Sequence, residues 1–190
     1  RSRGKGAPQE REGIKAGRTG SEMILGGGYS SNHVTATNTG GRYNPATDSW
    51  TATSITNAPS ARAGHKAVWT GREMILWGSS TTNTGGRYNP LADSWTATNR
   101  GANLPERRWE HTAVWTGTAV VVGGGSTDTI AGNPVRKYNP ATDSCAQPNT
   151  VHEELARDAH QAVCARAKAV VRWGQRRTMS QEKTWECATR

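Results

Sequence analysis

The chain has 190 residues, with 22 glycines, 8 tryptophans, no phenylalanine and only 33% hydrophobic residues, which argues against a helical globule and favours a glycine-rich all-β protein of one or two domains. The formal net charge is +9, but residues 1–18 contribute +4 and residues 151–190 contribute +3. Because a nucleic-acid-binding protein concentrates its positive charge on a folded face, this distribution argues against nucleic acid as the partner. No apolar run is long enough for a transmembrane helix, so no membrane partner is predicted.

Residues 1–18 precede the regular part of the sequence. They combine six basic residues and two acidic residues with glycine and proline, and they show no apolar periodicity. This pattern predicts a basic, disordered tail. The alternatives are an arm that binds an acidic surface and a degraded strand that begins a repeat.

A motif of ten or eleven residues then occurs three times, at 41–51, 86–96 and 136–145. Tyrosine precedes tryptophan by seven residues in the first two copies, and Cys145 replaces the tryptophan in the third. Between the aromatic residues lies Asn-Pro-x-x-Asp, a turn in which proline fixes φ and the aspartate bonds nearby backbone amides. Because tyrosine and tryptophan favour strands, each copy is predicted to form strand, turn and strand.

A second apolar segment precedes the later two copies of the motif. The spacing from His65 to Gly78 equals that from His111 to Gly124, and both segments read as two short strands joined by a Thr-Gly turn. Each unit therefore holds four strands in 45 to 50 residues, which is typical of a propeller blade.

These residues resemble the kelch repeat, particularly its bacterial form: an apolar strand ends on glycine, and tyrosine and tryptophan follow at a fixed spacing. The WD40 repeat fits less well, because Thr51 and Thr96 follow the tryptophans where that repeat has aspartate. The resemblance covers about 21–144. It implies an all-β fold, a partial kelch-type β-propeller of about three to four blades of four-stranded antiparallel sheet, without a complete closed ring. It also favours an extracellular or periplasmic location.

The repeat decays after residue 150. Residues 157–164 resemble 62–69, but no Tyr-Asn-Pro turn follows, and Trp185 is the candidate for the last aromatic position. We therefore divide the chain into a tail at 1–18, kelch-like repeats at 19–150, and a degenerate repeat or non-native segment at 151–190. Further repeats or a second chain would complete the propeller.

No group of residues in the sequence has the spacing of a catalytic site or a metal site. The recurring histidines each lie three residues after an arginine, at the same position of the repeat. One such residue per repeat is typical of packing rather than of a metal triad, and the cysteines show no Cys-x-x-Cys pair. The recurring aspartates are predicted to cap turns. We thus expect no cofactor, no metal and no catalysis from this chain. The residues concerned are His65, His111 and His160; Cys145, Cys164 and Cys187; and Asp48, Asp93 and Asp143.

Some kelch-like propellers are enzymes, and copper radical oxidases of the galactose-oxidase type need a cysteine-linked tyrosine and two histidine ligands. This sequence shows no such pattern. The alternative function is therefore a fragment of a carbohydrate-active or galactose-oxidase-like enzyme whose active site lies outside this chain.

The loops from the strand-end glycine to the tyrosine differ in length: 16 residues from Gly27, 10 from Gly78 and 14 from Gly124. Loops of variable length lie on the surface and carry recognition, so we predict a binding module for protein or carbohydrate whose loops share one face. The alternative is that polar residues simply fill solvated loops. The candidate binding residues are Tyr29, Ser30, Asn32, His33, Ser80, Thr82, Asn83, Thr127, Asp128 and Thr129.

Overall fold

The computed structural model describes residues 6–31, 33–99, 101, 103–126 and 135–146, together with the backbone of three later strands. None of these residues forms a helix, and accordingly no helical membrane span is found among them. The strands are β1 Arg11–Glu12, β2 Lys15–Arg18, β3 Met23–Gly26, β4 Tyr29–Ser30, β5 Gly40–Asn44, β6 Ser49–Ala52, β7 Lys66–Trp69, β8 Met74–Trp77, β9 Gly85–Asn89, β10 Ser94–Ala97, β11 Thr112–Trp115, β12 Val120–Gly123, β13 Arg136–Asn139, β14 Ser144–Ala146, β15 Gln161–Ala165, β16 Lys168–Arg172 and β17 Glu182–Glu186.

The strands form four antiparallel blades in chain order. Blade 1 is β2-β3-β5-β6, blade 2 is β7-β8-β9-β10, blade 3 is β11-β12-β13-β14, and blade 4 is β15-β16-β17. A further pair, β1 and β4, forms a two-stranded sheet. The predicted all-β fold of about three to four blades, a partial kelch-type propeller, is confirmed.

The chain divides into two compact units. The first unit consists of Arg1–Ser79 and Thr84–Thr98, and it contains blades 1 and 2. The second contains blades 3 and 4, together with Ser80–Asn83.

The strand–turn–strand motif forms as predicted. Tyr43 lies opposite Trp50 in the register of β5 and β6, and their ring centroids are 5.0 Å apart. The Asn44 side chain accepts the Ala46 amide at 2.9 Å, and Asp48 adopts a positive φ of 48°. A short aspartate tolerates this left-handed conformation better than most residues, which explains why aspartate recurs at the turn.

The core of the first unit forms between its two blades. Tyr88 and Trp95 pack with Met74 and Leu76 of their own blade and with Ile24 of blade 1, and all five side chains are buried. Blades 1 and 2 therefore bury apolar faces against each other, as repeat architectures require of neighbouring units.

The first blade begins earlier than the sequence analysis placed it. Lys15–Arg18 is a full strand paired with Met23–Gly26, whereas the predicted tail extended to residue 18. The strand has almost no apolar side chains, so hydrophobic pattern could not reveal it. The strand is recognised by its backbone pairing with β3 and not by the burial of its side chains.

The last blade keeps the register of the others. Cys164 pairs with Ala169, which pairs with Trp185, just as Trp115 pairs with Val120, which pairs with Tyr138. Trp185 therefore stands at the tyrosine position of the third strand.

Candidate binding loops

The loop at residues 28–40 of blade 1, here called loop 1, is a small hairpin. Tyr29 and Ser30 pair with β1, and Tyr29 also bridges to Ala36. The Ser30 amide donates to the Thr35 carbonyl at 2.8 Å, and the His33 amide donates to the Ser30 carbonyl at 2.8 Å. Backbone hydrogen bonds thus fix the hairpin on both of its arms.

A glycine pair attaches loop 1 to the entry of blade 2. The Gly28 amide donates to the Arg62 carbonyl at 2.8 Å, and the Arg62 amide donates to the Thr37 carbonyl at 3.2 Å. Gly28 has a φ of +97°, and a Cβ there would lie 2.5 Å from the Glu12 carbonyl oxygen. Only glycine fits at this close approach of two chain segments.

Loop 1 exposes two apolar side chains, Tyr29 on its first arm and Val34 after its turn. Tyr29 is 37% exposed and Val34 is 78% exposed. His33 is exposed beside them, and its Nδ1 lies 2.9 Å from a carboxylate oxygen of Glu12. Of the predicted loop 1 residues, Tyr29 and His33 are therefore exposed, Ser30 is half-buried, and Asn32 lies outside the described residues.

Val34 and Glu12 were missed by the sequence analysis. The candidate residues of this loop were Tyr29, Ser30, Asn32 and His33, and Glu12 fell within the predicted tail. The available signal was an apolar Val34 within an otherwise polar run, 30–35.

The corresponding loop of blade 2 is shorter and less exposed. Ser80, Thr82 and Asn83 are half-buried, and the Gly78 amide donates to the Thr84 carbonyl at 3.0 Å to close the loop. Thr127, Asp128 and Thr129 of the third loop lie outside the described residues. The clustering of the three loops on one face accordingly stays a prediction.

A buried arginine supports the loop of its own blade. The Nη1 atom of Arg62 donates to the carbonyls of Gly78 and Thr84, and that of Arg108 donates to Gly124. Arg11 does the same in blade 1, with a 2.9 Å bond to the Thr39 carbonyl. Burial lowers the pKa of Arg62 and of Arg108 to about 10, so both remain cations at neutral pH.

The support of the loops by arginine was not predicted, although the spacing between proline and arginine in the sequence indicates a recurring arginine. Arginine follows proline by three residues at Pro59, at Pro105 and also at Pro8. The third instance would have placed the start of the first repeat inside the predicted tail.

The recurring histidines are buried, as the packing interpretation predicts. His65 and His111 are both fully buried. Burial first, then the charges of Arg62 and Lys15, lower the pKa of His65 to about 4, so its ring is neutral near pH 7. His160 lies outside the described residues, and among those described no group of three His, Cys, Asp or Glu side chains is placed to hold a metal.

The recurring aspartates were predicted to cap the turn amides, but the asparagine side chains of the motif accept those amides. Each aspartate instead accepts the hydroxyl of the tyrosine five residues before it, and two of them also join successive repeats. Asp93 accepts the Tyr88 hydroxyl at 2.6 Å and the backbone amide of Ser54, in the loop after blade 1, at 2.9 Å. The Ser54 amide and then the Tyr88 hydroxyl lower the pKa of Asp93. Asp143 likewise accepts the amide of Asn99 at 3.0 Å.

Successive four-stranded blades, each with a Tyr–Asp turn and a glycine-ended second strand, define a protein of the β-propeller repeat class. The family model described as the KLHDC2/KLHL20/DRC7 Kelch-repeats domain matches residues 13–190. The chain therefore belongs to the kelch repeat family, as the sequence resemblance implied. No curated protein matches it. Kelch repeat domains are in general protein-interaction modules without catalysis of their own. The bacterial form stays a prediction.

Proposed function

We propose that this chain binds a protein partner through loop 1. The observation that carries the proposal is the exposed apolar pair, Tyr29 and Val34, on a hairpin that backbone bonds hold in place. Aromatic and apolar side chains at the centre of an interface supply most of its binding energy. A hairpin that is already ordered loses little conformational entropy when the partner binds.

The surroundings of the pair fit a protein interface better than a glycan site. His33, next to Val34 in the chain, and Glu12, opposite Tyr29 in the register of β1 and β4, form an exposed polar pair, so polar side chains accompany the two apolar ones as they do in protein interfaces. An aliphatic side chain such as Val34 offers nothing to a sugar hydroxyl. The candidate residues of the corresponding loops in blades 2 and 3 remain predicted additional contacts, and carbohydrate is the alternative ligand. They are Ser80, Thr82, Asn83, Thr127, Asp128 and Thr129.

The test compares two surfaces of the first compact unit. The double variant Tyr29→Ser, Val34→Ser removes both anchors, and the matched control Leu91→Ser removes a side chain that is 95% exposed in the turn between β9 and β10. That turn lies at the end of its blade opposite to the loop between the second and third strands. Binding is measured by titration calorimetry against a partner recovered with the wild-type chain, and glycans are tested on an array with the same variants.

We expect the double variant to weaken binding by at least about 30-fold, because two anchors are lost, while Leu91→Ser binds as the wild type does. Unchanged binding by the double variant, with loss in the control, would place the interface on the turn side. Binding to the glycan array alone, abolished in the double variant, would make carbohydrate the ligand of loop 1.

A further inference from the structure

His65 lies against the glycine pair from which loop 1 begins. Its side chain is fully buried, and a Cβ at Gly27 would lie 2.6 Å from its Cε1 atom. Within the described residues, neither ring nitrogen reaches a hydrogen-bond partner, although the Gly26 backbone lies close enough to favour the protonated ring slightly. The ring therefore fills this space as a neutral packing group.

The charged groups that act on His65 are all cations. They come from each neighbouring element: Lys15 from β2, Arg62 from the segment that enters blade 2, and Lys66 from β7. No carboxylate of the described residues contributes. A protonated His65 would thus add a further positive charge to a buried site that offers it no counter-charge.

The segment that holds His65 also holds loop 1. Arg62, three residues before it, makes two backbone bonds to the base of the loop, to Gly28 and to Thr37. A shift of His65 away from Gly27 moves the part of the chain that carries both bonds. Protonation of the ring is therefore coupled to the attachment of loop 1.

We propose that His65 is an acid-operated latch, whose protonation expels the ring from its place against Gly27 and releases loop 1 from the Arg62 backbone. The proton comes from solvent and binds a ring nitrogen, and no other group is consumed. The consequence that a partner dissociates on acidification rests on the proposed function of loop 1. The latch itself is a property of the first compact unit and is tested without any partner.

The direction and size of the effect follow from linkage. In the closed state, with the His65 ring against Gly27, the pKa of His65 is about 4, whereas that of an exposed histidine is about 6.5. The stability of the closed state relative to the released state is therefore greatest above pH 6.5 and falls as the pH decreases toward 4. These two values give about a twentyfold rise in the released population between pH 7 and pH 5.

The experiment is amide hydrogen exchange by NMR on the full chain, with each rate divided by its intrinsic rate at that pH. We expect the protection of the Gly28 amide to fall about twentyfold from pH 7 to pH 5, while Ile75 in β8 stays better protected than Gly28 at both values. In His65→Gln the protection of Gly28 should not depend on pH. His33→Gln, which removes the exposed histidine of loop 1, is the matched control and should behave as the wild type does.

A second variant keeps the test decisive if His65→Gln does not fold. Lys15→Gln removes one cation that acts on His65, so the closed ring accepts a proton more easily and the loss of Gly28 protection at pH 4 should be smaller than in the wild type. The latch is wrong if Gly28 protection is constant in the wild type, if Lys15→Gln or His65→Gln shows the full wild-type fall, or if Gly28 and Ile75 exchange at one common rate. Failure of Tyr29→Ser, Val34→Ser to affect partner binding would count against the proposed function and not against the latch.

Discussion

Blades 1 and 2 contain the same aromatic pair in the same geometry but bury it to different extents. The ring centroids of Tyr43 and Trp50 are 5.0 Å apart with the planes tilted by 41°, and those of Tyr88 and Trp95 are 5.0 Å apart with a tilt of 44°. Yet Tyr88 and Trp95 are buried, whereas the pair in blade 1 is half-buried. The repeat sequence determines the pair, and the neighbouring blade determines its burial.

The largest expected difference between the two blades comes from their tryptophans. We expect Trp95→Ala to destabilise the first unit by about 4 kcal/mol, because it leaves a cavity between the blades and removes the bond from its Nε1 to the Ser54 carbonyl. Trp50→Ala should cost less than half of that. Urea unfolding of the two variants measures the difference, and equal losses would show that burial by the neighbouring blade contributes little.

The equivalent arginines extend the same comparison to the loops. Arg62 is 2% exposed and bonds carbonyls of its own blade, while Arg11 is half-buried. We expect Arg62→Ala to cost about 3 kcal/mol, since the buried Gly78 carbonyl and the part-buried Ser60 and Thr84 carbonyls lose their donor, and Arg11→Ala to cost about 1 kcal/mol. Thermal unfolding checks the order of the two, and a reversed order would contradict the assignment of Arg11 as the counterpart of Arg62.

Blade 3 differs from both because Cys145 stands opposite Tyr138, in the position of Trp50 and Trp95. Cys145→Trp should restore the aromatic pair and raise the stability of the second unit by about 1.5 kcal/mol. Calorimetry should show a higher melting temperature for this variant, with Cys145→Ser as the control for loss of the thiol alone. A lower melting temperature in the tryptophan variant would indicate that the blade has no room for the ring.

The smallest expected effect concerns a backbone position that blades 1 and 2 fill with glycine. Gly13 and Gly64 have φ of 64° and 70°, and Glu110 occupies the same conformation in blade 3 with φ of 55°. Glu110→Gly should therefore stabilise the second unit by roughly 1 kcal/mol, since it relieves the left-handed strain of a side chain that is exposed. Glu110→Ala keeps the strain and serves as the control; a gain in the alanine variant as well would show that the side chain, not the backbone, is responsible.

The sequence predicted those features that one repeat encodes by itself. The Asn-Pro-x-x-Asp turn, the aromatic pairs and the glycine-ended strands all lie within one blade, so spacing alone located them. The burial of Trp95 and the bond from Ser54 to Asp93 involve a second repeat. Such contacts depend on tertiary packing, and no local pattern contains them.

The candidate site was predicted only in its position along the chain. Loop length identified loop 1, because a repeat of fixed spacing makes an insertion visible. It could not show that the hairpin turns Val34 outward and pairs His33 with Glu12, since that pairing needs β1. The strand β1 lies in a stretch whose composition resembles a disordered tail.

The hydrogen bond from the Ser54 amide to Asp93 can form only after the second repeat has been translated. The two residues are 39 positions apart, so at roughly 5–20 residues per second Ser54 leaves the ribosome about 2–8 seconds before its partner. Until then the hairpins of blade 1 can form, but its exit loop and the apolar face around Ile24 stay in contact with solvent or chaperone. The second repeat thus completes the first only after its own turn has been translated.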